Sequence, residues 1–192
     1  MGKTLSNNQK IDFLYQSIAD TQSTIRAIDV KLGFLFVVAF LPVAGLEKII
    51  SLYETLKAAS NLYFYSMLLF GFLWLASIYT LFKSTISISN PSRHVSGQLP
   101  KGIFYGGNIF TLNAIDNFFN FPVKSNQEVD QFSQDLPENE AEIIKELSFE
   151  KIKISYIREI KIRRSSLCGR LIFSWICLGF ALWILYLLKV GF

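Results

Sequence analysis

Three stretches of the chain are apolar almost without interruption, and the polar residues gather before and between them. Residues 62–82 carry no charge in 21 positions and residues 171–188 none in 18. These lengths match the ~20 helical residues needed to cross a ~30 Å hydrocarbon layer. A third run, 32–46, has 15 residues, which rise only about 22 Å as a helix. Glu47 and Lys48 close it before Ile49, Ile50, Leu52 and Tyr53 resume, so the expected first span borrows from its flank and covers 32–53. Pro42, near the end of this run, has no N–H to donate and predicts a kink there.

The flanking segments have helical spacing. Leu14, Ile18, Thr21, Ile25, Ile28 and Leu32 recur at intervals of three and four, which makes 1–31 an amphipathic helix running straight into the first span. A single apolar stripe needs a partner surface, and residues 135–170 offer one. Asp135-Leu136-Pro137-Glu138 reads as a helix start: Asp135 as the cap, Glu138 three residues later, and Pro137 at an early position that needs no donor. Ile143, Leu147, Ile154 and Ile157 then mark one stripe, and Phe149, Ile152, Tyr156 and Ile160 another. Glu150 with Lys153 and Glu159 with Arg163 stand at pairing distance along a helix. Nothing interrupts the pattern before Gly169, so this helix is expected to continue into the last span, although the alternation over 151–156 also fits a strand.

The connection between the second span and that helix differs in character. Ser84 to Ser89 is rich in small hydroxyl residues and ends at the turn signal Asn90-Pro91. Gly97, Pro100, Gly102, Gly106 and Gly107 follow, with six aromatics between Ile103 and Phe121. Such a stretch is too apolar for a solvated linker and should fold against the long helices or lie at the membrane surface.

Composition agrees with this pattern. Of 192 residues, 51% are hydrophobic and 18% charged, against roughly 25% charged in soluble domains. With 18 Phe, 8 Tyr and 3 Trp to bury, the chain is not a disordered tail protein. The two cysteines, Cys168 and Cys177, lie in or beside one apolar run and do not make a disulfide framework. The first apolar run follows a polar stretch with Asp12, Asp20 and Asp29, unlike a cleaved signal peptide. The fold class expected is therefore mainly α: an integral membrane protein with three transmembrane helices (32–53, 62–82, 171–188) and a mostly helical polar region made of 1–31 and 83–170.

Lysine and arginine counts suggest its orientation. Segment 1–31 holds four, 47–61 holds two, 83–170 holds twelve and the tail holds Lys189. The positive-inside bias puts the N-terminus and the long connection in the cytosol, with Lys161, Arg163, Arg164 and Arg170 as the strongest contribution. The same cluster would lie near anionic headgroups.

Enzyme signatures are missing. With one histidine, His94, and no cysteine pair at ligand spacing, no His/Cys metal site assembles within one chain. The glycines lack the Gly-Lys-Ser/Thr ending of a phosphate loop, and no Gly-x-Ser-x-Gly elbow occurs. The acids from Glu128 to Glu150 are spaced like a solvated helix face, not a calcium loop. Catalysis is not expected, and neither is a cofactor or a metal. The last two spans contain no ionisable residue, so transport also lacks its usual mark. Ser66, Ser77 and Thr80 share one face of the second span, where they would line a pore between subunits or pack helices through small residues.

Several short motifs resemble the transmembrane effectors of the Pycsar bacterial anti-phage systems. Ala27-Ile28-Asp29-Val30-Lys31 resembles that family's Asp-x-Lys entry to the first span, with Leu32 where an alanine is common. Pro100 followed by Ile103-Phe104-Tyr105-Gly106 is similar to its aromatic-glycine motif, and a long helix before a final span completes the order of parts. The resemblance implies a homo-oligomeric effector of the bacterial inner membrane that impairs the bilayer when a partner cyclase makes cyclic UMP or cyclic CMP. It does not imply binding to a nucleic acid polymer. Arg93 and Lys101 would then meet phosphate charge and Phe104 or Tyr105 the base, or these residues simply anchor the loop. The competing expectation is a non-enzymatic membrane scaffold or accessory subunit whose polar helices bind a protein partner.

Overall fold

The computed structural model describes residues 5–57, 61–86, 88, 91–97, 100–105, 109–110 and 124–190. All regular elements among them are helical: α1 (Asn7–Ala44), α2 (Leu46–Lys57), α3 (Asn61–Thr85), α4 (Val129–Gln134) and α5 (Glu140–Val190), with 3-10 turns at Pro91–His94 and Ile103–Tyr105. α1, α3 and α5 are each long and apolar enough to cross a membrane. The mainly α expectation holds, and 151–156 is helix, not strand. The aromatic residues 118, 119 and 121 lie outside the described residues.

The described chain forms two units. One comprises 1–23 with 89–157, the other 24–88 with 158–192. α1 and α5 each contribute to both.

In the first unit, α1 begins at a box the sequence reading passed over. Ser6 Oγ accepts the N–H of Gln9, and Gln9 Oε1 accepts the N–H of Ser6, at 3.3 and 3.0 Å. The stripe on α1 meets its expected partner. Ile18, Leu147 and Ile154 form a buried cluster, with Ile11, Leu14 and Ile143 packed against it. Burying each large aliphatic side chain contributes about 1.5–3 kcal/mol. At its edge, Lys151 Nζ donates to the carbonyl of Ser17 at 2.9 Å and to Thr21 Oγ1 at 2.6 Å. The second stripe divides: Phe149 is buried, Ile152 is 52% exposed, and Tyr156 stacks on His94.

The start of α5 corrects the sequence reading. Its cap is Asn139, not Asp135: Asn139 Oδ1 accepts the N–H of Glu142, and Glu142 Oε1 accepts from Asn139 Nδ2. Glu142 Oε2 also takes the N–H of Glu138 at 3.0 Å. Asp135 instead ends α4, its backbone N–H turning back to the carbonyls of Gln131 and Phe132, while its carboxylate pairs with Lys101. Glu150 pairs with Lys153 as expected, whereas Glu159 pairs with its neighbour Arg158.

The second unit has its core in Leu32, Ala39, Leu81, Cys168, Ile172 and Trp175, drawn from α1, α3 and α5. The expected span 32–53 is divided. α1 ends at Ala44 and α2 starts at Leu46, with the N–H of Gly45 turning back to the carbonyl of Pro42 at 3.1 Å. The cause is Pro42, which cannot donate to the carbonyl of Val38 and opens the helix on that side. The next carbonyl, of Ala39, accepts Trp74 Nε1 at 2.7 Å, giving the indole a partner in an apolar setting. Lys161 pairs with Asp29 at 2.5 Å, and Arg164 donates to the carbonyl of Lys83 in the last turn of α3 at 2.9 Å. α3 turns Leu62, Tyr65, Leu68, Leu69, Phe72, Leu75 and Tyr79 outward. In water such a face would be a liability; in lipid it is an ordinary surface.

Candidate functional site

The loop residues singled out from the sequence go to different neighbours. Arg93 is exposed in the Pro91–His94 turn, where His94 stacks on Tyr156 with ring centroids 4.5 Å apart and planes 18° from parallel. Phe104 is 43% exposed and leans on Tyr15 at 6.0 Å. The side chain of Tyr105 lies outside the described residues. Lys101 Nζ stands 2.6 Å from Asp135 Oδ1. That hydrogen bond raises the lysine above its ordinary value of 10.5, with the charges of Asp135, Glu142 and Glu138 adding to it and slight desolvation opposing it.

Beside Lys101 lies the most structured polar feature of the first unit. Gly102 holds φ at +75°, a conformation that favours glycine. Its N–H donates to Glu146 Oε1 at 3.0 Å, and Phe149 comes within 3.6 Å of where a Cβ would stand. Glu146 is only 6% exposed, and its other oxygen, Oε2, is buried with no protein partner among the described residues. Glu146, Asp135, Glu138, Glu142, Lys101 and Lys145 all line one cleft of about 320 Å³.

This corrects the reading of 128–150 as a solvated acidic face. Glu146 and Glu150 are 6% and 3% exposed, because they share the helix face of Ile143, Leu147 and Ile154. The spacing contained the signal: 143, 146, 147, 150 and 154 is the three-and-four pattern of a buried stripe, with two carboxylates inside it. A buried carboxylate needs partners, so each such position on an apolar stripe is a place to look for one. Glu150 has Lys153 at 2.5 Å. For Glu146 the partner is a backbone amide 44 residues upstream, which no local pattern announces.

The hydroxyls of the second span turn back to their own helix. Ser66 Oγ donates to the carbonyl of Leu62, Ser77 Oγ to that of Trp74 and Thr80 Oγ1 to that of Ala76, at 2.9, 2.7 and 2.8 Å. Ser77 is fully buried, and its carbonyl accepts from Cys168 Sγ at 3.7 Å. A small residue here lets α3 and α5 approach closely. The same close approach occurs at Gly179, where an added Cβ would stand 2.8 Å from Cε2 of Phe70.

Among the described residues, no group of three or more His, Cys, Asp or Glu side chains is placed to hold a metal ion. No family model, curated protein or solved structure matches the chain. The geometry brings together a small charged cleft and, on Glu146, one buried carboxylate oxygen with no protein donor among the described residues.

Proposed function

We propose that this protein is an oligomerising membrane effector of bacterial anti-phage defence, one that impairs the inner membrane in response to a cyclic nucleotide from a partner cyclase. In this reading the N-terminus and the 83–170 connection face the cytosol, where sixteen of the nineteen Lys and Arg residues fall. The resemblance in sequence motifs supplies the biology. The observation that carries the reading is the combination of three helices fit to cross a membrane with a separate, mostly polar unit. That polar unit, the first of the two, is built from 1–23 and 89–157, and α1 and α5 run into it without a loop. Ligand binding that shifts the polar unit between two states would act on the apolar helices through those same two elements. Arg93 and Phe104, both exposed, are the proposed contacts for phosphate and base, with Tyr105 as the alternative contact for the base. Lys101 contributes only if a phosphate displaces Asp135 from it.

The test is expression with a pyrimidine cyclase while membrane potential is followed with a voltage-sensitive dye. Depolarisation that requires both proteins is expected. An unchanged potential with confirmed cyclic nucleotide in the cell refutes the reading.

A further inference from the structure

We infer that the cleft at the start of α5 is a binding site for a small organic cation bearing a guanidinium or primary ammonium head, with Glu146 as the residue that recognises it. Two independent observations lead there. The first is charge. Of the six ionisable side chains in the cleft wall, Lys101 is spent on Asp135, leaving Glu138, Glu142 and Glu146 against the single Lys145. A field of that sign favours a cation over a phosphate or carboxylate. The second is the unfilled valence of Glu146. One carboxylate oxygen holds the Gly102 amide at 3.0 Å, while the other is buried with no protein donor among the described residues.

A carboxylate oxygen removed from water with no hydrogen bond is costly, and its cheapest remedy is an N–H donor that also carries positive charge. Both oxygens of Glu142 already have donors, Oε1 in Asn139 Nδ2 and Oε2 in the N–H of Glu138. Its charge still adds to the field. A metal ion is a poor occupant, since the described residues gather no triad of ligands. A guanidinium or ammonium needs no such triad: it needs one or two carboxylates and space. The cleft's 320 Å³ lies at the small end of ligand pockets, roughly 300–1,000 Å³, and suits an alkyl guanidine or diamine. This site is distinct from the proposed contacts at Arg93 and Phe104, and the inference stands whether or not the protein answers to a cyclic nucleotide.

The experiment uses the full chain in nanodiscs, titrated by calorimetry with butylguanidinium and, as its neutral counterpart of nearly the same shape, butylurea. Butylguanidinium is expected to bind, and butylurea to bind at least about tenfold more weakly, as befits loss of a charge-assisted bond. Glu146→Gln keeps an oxygen for the Gly102 amide but removes the charge, and should weaken butylguanidinium by about tenfold or more. Glu138→Gln changes an exposed side chain and spares the fold. It should weaken binding by roughly two- to fourfold at low salt, and by less as salt screens it. The inference is overturned if butylurea binds as well as butylguanidinium, or if neither binds at about 10 mM, a limit well beyond a millimolar site. Unchanged affinity in Glu146→Gln overturns it too; should that variant fail to fold, unchanged affinity in Glu138→Gln does the same.

Discussion

Substituting Gly179 by alanine tests the packing of α3 against α5 with a built-in control. The new Cβ would stand 2.8 Å from Cε2 and 3.4 Å from Cδ2 of Phe70. Ordinary contact needs about 3.5–4 Å, so the ring has to retreat by most of an ångström. Trp175, one turn earlier on α5, meets the same ring edge to face at 5.8 Å and 89°, so a ring that retreats loses that contact as well. Overpacking of this kind costs about 1–3 kcal/mol. Against it stands the gain of replacing a mid-helix glycine, about 0.5–1 kcal/mol. The net expectation is a loss of up to about 2.5 kcal/mol. Gly169 lies in the same helix and has nothing within 4 Å of an added Cβ, so Gly169→Ala keeps the gain without the clash. Unfolding in mixed detergent micelles, followed by tryptophan fluorescence, should therefore place Gly169→Ala at or above the parent protein and Gly179→Ala below it. Combining Gly179→Ala with Phe70→Leu should show a favourable coupling energy, because the smaller side chain yields to the methyl. Equal stability of the two alanine variants, or a coupling near zero, would refute the close approach of these helices.

Three further outcomes follow from the first unit. Leu147→Ala should destabilise by about 2–5 kcal/mol, because Leu147 is fully buried in the α1–α5 cluster, while Ile152→Ala, at a half-exposed position, should cost far less; chemical denaturation compares them. Asn139→Ala should cost about 1 kcal/mol and fray the first turn of α5, seen as faster amide exchange at Glu142, whereas Asp135→Ala should leave that amide protected. The contribution of Lys101 follows from its raised pKa: it is fully present at and below 10.5 and is lost as pH climbs through the higher folded value. The melting-temperature difference between the parent protein and Lys101→Met should thus stay flat from neutral pH to about 10 and shrink above it.

Elements governed by local spacing were legible in the sequence. The α1 stripe, its partner on α5 and the unbroken run through Gly169 follow from intervals of three and four, which chain neighbours alone determine. The cap of α5 was missed for an instructive reason. Asp135-Leu136-Pro137-Glu138 and Asn139-Glu140-Ala141-Glu142 are two candidate capping boxes in succession, and the first is taken up in closing α4, with Lys101, 34 residues earlier, on the Asp135 carboxylate. The break after Ala44 was half visible: Pro42 marked a kink, but that α2 is a separate helix depends on the turn at Gly45. Of the candidate site, Lys101 was read as a phosphate contact or a loop anchor, and its pair with Asp135 ties the loop to the end of α4. Glu146 was overlooked because its burial depends on a glycine amide brought in from another part of the chain.

The lysine and arginine just ahead of the last apolar stretch have a history that the finished fold conceals. Bias in topology acts while the chain is being inserted, before its helices have found one another. Later, Lys161 closes on Asp29 and Arg164 on the end of α3, leaving Arg163 and Arg170 facing outward. In the orientation proposed above, the same cations would act twice, first as a brake on translocation and afterwards as clasps between segments made far apart in time. A charge-reversing change at Lys161 should therefore separate the two roles: insertion survives on the remaining cations, and assembly of the bundle bears the defect.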